Sequence, residues 1–173
     1  RVDPHARESL AHHIEIARTA ERGKFDLLFT ADTQATFGPD DVEAWTYTMH
    51  TSRLEPLTLL GALAVVTERI GLVATATTTY FEPYHVARFF ASLDQISQGR
   101  VGWNLVTSAA PAEAYNFGRD THVAHADRYA RAREFVQVVL GLWDSWEDGA
   151  VIADKASGRY FDPAKLHMLR HKG

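Results

Sequence analysis

Apolar positions recur along this chain with two alternating periods. From about Pro4 to Arg22, the residues Leu10, Ile14, Ala17 and Ala20 fall three or four apart, which places them on one face of an α-helix. Asp3-Pro4 reads as an N-cap followed by proline in the first turn, so the chain is expected to enter directly on this helix. Gly23 is a natural stop. The period then shortens. Phe25-Asp26-Leu27-Leu28-Phe29-Thr30-Ala31 is a short, mostly apolar run of the kind buried on both faces of a parallel sheet, and it ends on Asp32. From Thr33 to Glu55 no period holds, and Gly38-Pro39-Asp40-Asp41 is turn chemistry, so a long loop is expected where the strand ends.

A second helix begins near Pro56 and is expected to bury Leu57, Leu60 and Ala64, with Leu63 at its edge. A strand follows from about Arg69 to Ala74, with a threonine-rich end at Thr75, Thr77, Thr78 and Thr79. A third helix, from about Pro83 to Ser97, carries Val86, Phe89, Phe90, Leu93 and Ile96, and Gln98-Gly99 closes it. Val101 to Thr107 is the next strand. A fourth helix, from about His125 to Trp146, shows Phe135, Val138, Val139 and Leu142 on one face. Three alternations of strand and helix are the pattern of βα units in a parallel sheet. From Gly149 to Gly173 the chain reads as polar loop with a little extended structure, so residues 146–173 form a loop-rich tail to a single domain. A complete (β/α)8 barrel takes about 250 residues and eight strands. Either the fold is a small open α/β sheet, or it is about the N-terminal half of a larger barrel whose first strand is missing.

Composition narrows the function. The 173 residues are 46% hydrophobic with a formal charge of −4, which fits one soluble domain with a core of its own. The absence of cysteine excludes disulfides, thiolate metal sites, iron–sulfur clusters and a cysteine nucleophile. There is no run of Lys or Arg to suit nucleic acid, and no apolar stretch approaches the roughly 18 residues of a spanning helix. With no leader pattern either, a cytoplasmic location is expected.

Chemistry in a parallel α/β fold belongs at the C-terminal ends of the strands. Three polar groups fall there: Asp32, the threonines from Thr75 to Thr79, and Asn104 with Thr107 and Ser108. Each alone is explained by loop capping or β propensity; their coincidence at successive strand ends carries more weight. His125 and Tyr129, four apart at the start of a helix, leave on one face beside a partly positive helix end, which suits an anion such as a phosphate. The plain reading of that pair is a packed tyrosine beside a solvated histidine. His122, His125 and Asp127, or His167 and His171, could be read as metal ligands, but there is no HExxH motif and no third ligand at a recognised spacing. No metal is therefore expected. Asp94 lies within a helix and makes no glycosidase pair with Asp32, and GxSxG, GxGxxG and P-loop motifs are absent.

Five ordered blocks are more specific than any of these. AERGKFDLLFTAD (20–32), EPLTLLGALAVVTERIGLVATATTTYFEPYHVAR (55–88), SLDQISQGRVGWNLVTSA (92–109), NFGRD (116–120) and RYARAREFVQVVLGLWDSWEDGA (128–150) resemble the bacterial-luciferase-like, FMN-dependent monooxygenases of the nitrilotriacetate and dibenzothiophene-sulfone monooxygenase type. The resemblance implies a TIM-type barrel with FMN at its strand ends. It implies reduced FMN supplied by a separate NAD(P)H-dependent flavin reductase, O₂ as co-substrate, and oxygenation of a small organic substrate. The flavin carries the hard chemistry, so no amino-acid nucleophile is required and the catalytic residues stay unassigned. Carried onto this sequence, the flavin contacts fall on Asp32, on Thr75 or Thr78, and on His125 and Tyr129, with Asn104 beside the ring. Relative to the family, the first strand and the later-strand phosphate contacts have no counterpart here. A half-barrel would expose sheet edges, so a homo-oligomer is expected. Two alternatives stand beside this reading: a deazaflavin-dependent oxidoreductase on the same barrel, and a non-catalytic half-barrel that holds flavin or self-associates.

Overall fold

The computed structural model describes residues 5–36, 42–47 and 52–172. The elements in chain order are α1 (Leu10–Arg22), β1 (Leu27–Thr30), α2 (Val42–Trp45), α3 (Pro56–Ala64), β2 (Gly71–Thr77), α4 (Pro83–Ser97), β3 (Val101–Val106), α5 (Glu113–Asn116), α6 (His125–Trp143), β4 (Val151–Asp154) and β5 (Arg159–Phe161). β1, β2 and β3 form one parallel sheet in that order, with Leu27 opposite Gly71 and Thr75 opposite Asn104. The expected alternation of helix and parallel strand is therefore present.

The period of two in β2 divides its side chains between two tasks. Leu72, Ala74 and Ala76 are fully buried in a core shared with Leu60 and Leu63 of α3, Val86, Phe90 and Leu93 of α4, and Phe135 and Val139 of α6. Thr75 and Thr77 face the other way, toward a cleft at the strand end. Gly71 is needed where β2 meets β1, because a Cβ there would stand 3.1 Å from the Asp26 carbonyl oxygen. Trp103 of β3 packs among Phe90, Phe135 and Trp143 and donates its indole N–H to the Ala76 carbonyl at 3.0 Å.

The element boundaries follow local caps. Glu55 starts α3 by accepting the N–H groups of Leu57 (2.9 Å) and Thr58 (2.7 Å) on its carboxylate. Gln98 and Gly99, both at positive φ, end α4. Two side chains fasten the turn into β2. Glu21 accepts the N–H groups of Glu68, Arg69 and Ile70 at 2.6–2.9 Å, and these bonds hold its carboxyl below the usual range. Arg100 donates to the carbonyls of Ala64, Thr67, Ile70 and Ser97 and to the Thr67 hydroxyl.

Several expectations need correction. α1 begins at Leu10, with the Ser9 hydroxyl accepting the His12 N–H at 3.3 Å; Asp3-Pro4 lies outside the described residues. Leu10 is exposed, while Ala17 is buried and Ile14 and Ala20 are partly buried against the core, so the expected stripe holds from Ile14 onward. β1 is not buried on both faces, since Leu27 and Phe29 are each 50% exposed. The buried stripe of α3 runs Pro56, Leu59, Leu60, Leu63, Ala64, so Leu63 is central and Leu57 only half-buried. In α4 the stripe is Val86, Ala87, Phe90, Leu93 and Ser97; Phe89 and Ile96, one heptad apart, share an exposed flank. α6 ends at Trp143, and Trp146 lies beyond it, packed edge-on against Phe161 of the β4–β5 hairpin. The long loop after β1 holds the one-turn α2, and Gly38-Pro39-Asp40-Asp41 falls outside the described residues. No described helix is long and apolar enough to cross a membrane.

Candidate functional site

The C-terminal ends of the three parallel strands open into a cleft of about 940 Å³ bordered by Asp32, Thr33, Thr75, Thr77, Glu113 and Tyr129, among others. Apolar walls come from Leu105, Val106 and the chain from Ala109 to Ala112. A cleft of this size with a few convergent polar groups is what a small-molecule site requires. The strand ends are laced together across it. The Thr75 hydroxyl donates to the Thr30 carbonyl at 2.9 Å and accepts from the Asn104 amide at 3.0 Å, so β1, β2 and β3 are cross-linked through a single side-chain oxygen.

Asp32 follows β1 directly, and its side chain is only 9% exposed. It accepts from the Gln34 amide at 2.6 Å and lies 4.0 Å from the Arg53 guanidinium. Burial raises its pKa above the ordinary aspartate range, against the pull of the Thr33 N–H and Arg53. Thr77 and Ser108 share a hydrogen bond of 2.8 Å, which ties the end of β2 to the loop after β3. Glu113, the first residue of α5, is 3% exposed; its Oε1 accepts from the Thr33 hydroxyl at 2.9 Å and its Oε2 has no partner among the described residues.

At the start of α6, the His125 and Tyr129 rings lie 4.6 Å apart with their planes at 34°. Tyr129 borders the cleft and His125 stands beside it, away from the lining. Ala124 precedes the helix and supplies no side-chain cap, so the first-turn N–H groups keep their donors for something else. Behind this pair runs a hydrogen-bonded row. The His122 Nε2 faces the Arg128 guanidinium, and the Nδ1 lies 2.6 Å from the Tyr80 phenol oxygen. His122 thus links the Tyr80 phenol to the Arg128 guanidinium through its two ring nitrogens. Burial, with Glu113 nearby, raises the Tyr80 pKa.

The structure thus gathers Asp32, Thr75 and Tyr129 around one cleft, with Asn104 bonded to Thr75 and His125 in tilted ring contact with Tyr129. Thr78 is elsewhere: it is fully buried, donates to the Val106 carbonyl at 3.3 Å and receives Arg131 on its own carbonyl. His122, considered in sequence only as a metal ligand, has both ring nitrogens engaged by Tyr80 and Arg128. Sequence reasoning missed Thr33, Tyr80 and Glu113. Nothing local distinguishes Glu113 from a solvated loop acid, since its partner lies 80 residues away.

The luciferase-like monooxygenase family matches residues 1–172, and the chain belongs to it. It is 56% identical over 178 residues to nitrilotriacetate monooxygenase component A of Aminobacter aminovorans, covering 99% of this chain and 39% of that protein. It is 49% identical to the dibenzothiophene-sulfone monooxygenase of Rhodococcus erythropolis, covering 94% of this chain and 37% of the relative. Among solved structures, riboflavin lyase with modified FMN and substrate riboflavin superimposes with a TM-score of 0.84 at 39% identity, over 96% of this chain and 38% of that one. The chain therefore spans about two-fifths of the length of these proteins.

Proposed function

We propose that this chain forms part of a flavin-dependent monooxygenase, and that the cleft at the ends of β1, β2 and β3 holds FMN. The observation that carries the reading is the convergence of Asp32, Thr75 and Tyr129 on that one cleft, in a chain of this family. The donor set fits the cofactor. Asp32 and the threonine hydroxyls offer acceptors for ring N–H and ribityl O–H groups, while the uncapped start of α6, with His125 and Tyr129, offers donors for a phosphate. Reduced FMN bound there would supply the electrons that activate O₂ for oxygenation of a small organic substrate.

The chain's own residues then have defined tasks. Thr75 and Asn104 fix the spacing of the three strand ends, so the ring would meet a preset floor. Leu105, Val106 and the loop from Ala109 to Ala112 exclude water from the apolar wall. In this reading the three strands are consecutive members of a (β/α)8 barrel, and the remaining strands close it against β1 and β3. A separate NAD(P)H-dependent flavin reductase supplies the reduced cofactor, in keeping with the name "component A" of the relative from Aminobacter aminovorans. In the full-length protein, Asp32→Ala, His125→Ala and Tyr129→Phe should each weaken binding of reduced FMN without unfolding the domain. Anaerobic titration of each variant tests this; unchanged affinity in all three would remove the site assignment.

A further inference from the structure

Glu113 is a carboxylate that the fold has buried and only half satisfied. It is 3% exposed, it borders the cleft, and one of its two oxygens is held by the Thr33 hydroxyl at 2.9 Å. The other, Oε2, is buried with no partner among the described residues. An unsatisfied buried acceptor is costly, more so when charged, so such a group persists where something completes it. Among the described residues no group bonds it; the other buried unpartnered atom is the Nε of Arg128, whose charge, like that of Glu113, is felt by Tyr80. Thr33 is already committed to Oε1, and the walls from Ala109 to Ala112 are three alanines and a proline. The Tyr80 phenol is close enough for the charge to raise its pKa, but it makes no bond to Glu113.

We infer that the free Oε2 of Glu113 accepts a hydrogen bond from an N–H or O–H group of the molecule held in the cleft, making Glu113 a residue that selects for a donor at that position. This rests on the cleft being the ligand site proposed above. The donor belongs either to the flavin or to the organic substrate; the chemistry at Glu113 is the same. The Thr33 bond gives the selection its sharpness. It anchors one carboxylate oxygen, which restrains the side chain, and an acceptor placed opposite Oε2 would meet a second acceptor with no proton between them.

Glu113→Gln is the discriminating substitution. The amide oxygen can still take the Thr33 hydroxyl, while the free position changes from charged acceptor to donor. Two arms are run on the full-length protein and its variant. The first titrates FMN; the second compares benzylamine, a protonated donor, with benzoate, an acceptor of similar size, on flavin-free protein by ligand-observed NMR. A loss of FMN affinity of at least about tenfold in the variant, with its melting temperature kept, identifies the flavin as the donor. Unchanged FMN affinity, with the parent preferring benzylamine over benzoate and the variant losing that preference, identifies the substrate position. If neither the FMN affinity nor the benzylamine preference differs between parent and variant, Glu113 is satisfied by the protein itself and the inference is overturned. A parent that binds no FMN would take down the flavin reading alone, because the benzylamine arm decides Glu113 without it. Should the variant fail to fold, Glu113→Ala takes its place in the same two arms, and an unchanged FMN affinity with no benzylamine preference in the parent overturns the inference.

Discussion

Asp32, placed in the proposed flavin cleft, carries a cost to the fold that a ligand would offset. Its carboxylate is buried behind Gln34 and only distantly compensated by Arg53, and desolvation raises its pKa. Between the ordinary aspartate pKa and the raised one, the folded state therefore binds more protons than the unfolded state. Stability falls as pH rises through that window, and the loss persists above it. Asp32→Asn removes the charge and keeps the shape. The variant should melt higher than the parent at pH 7, and the difference should shrink to nothing as the pH drops below the ordinary aspartate range. Its affinity for reduced FMN should fall in the same experiment. Thermal unfolding across pH 3–8 checks the first expectation, and a parent that is the more stable of the two at pH 7 would contradict it.

At the scale of elements, the packing of α3, α4 and β2 depends on Arg100. This one guanidinium, half-buried at the start of β3, serves five acceptors that the turn between α3 and β2 and the end of α4 leave without strand or helix partners. Arg100→Ala should cost about 3 kcal/mol or more, because several partly buried carbonyls lose their donors together. Arg100→Lys should recover little of this, since an ammonium cannot span the same fork. Urea unfolding of both variants measures the difference; a lysine variant within about 1 kcal/mol of the parent would refute the role. The sequence announced these elements but not this fastening. Periodicity located α3 and α4 because an apolar stripe repeats locally, and it misplaced Leu57 against Leu63 because frames one residue apart both look amphipathic in a short helix. Thr75 and Asn104 were legible as strand-end residues for the same local reason. Arg100, Tyr80 and Glu113 were not, because their roles come from partners 30 to 80 residues away that only the parallel crossovers bring near.

At the scale of the molecule, the sheet explains why these 173 residues alone should fall short of the reaction. Among the described residues β1 pairs only with β2, and β3 only with β2, so both outer strands present unpaired backbone groups. On β1 that edge is also apolar: Phe25, Leu27 and Phe29 are each at least half exposed. A closed barrel would cover both edges and complete the cleft wall, and a chain spanning about two-fifths of its relatives supplies only part of it. The isolated segment should therefore self-associate through β1 and bind flavin weakly or not at all. Supplied with a flavin reductase, NADH, FMN and O₂, it should release peroxide without oxygenating sulfones, amines or aminopolycarboxylates, because an open cleft admits water to the reacting flavin. Light scattering after size exclusion, run beside a coupled oxygenation assay, tests both halves of the expectation. A monomer that couples O₂ consumption to substrate oxidation would show that the site at the ends of these three strands is sufficient without a closed barrel.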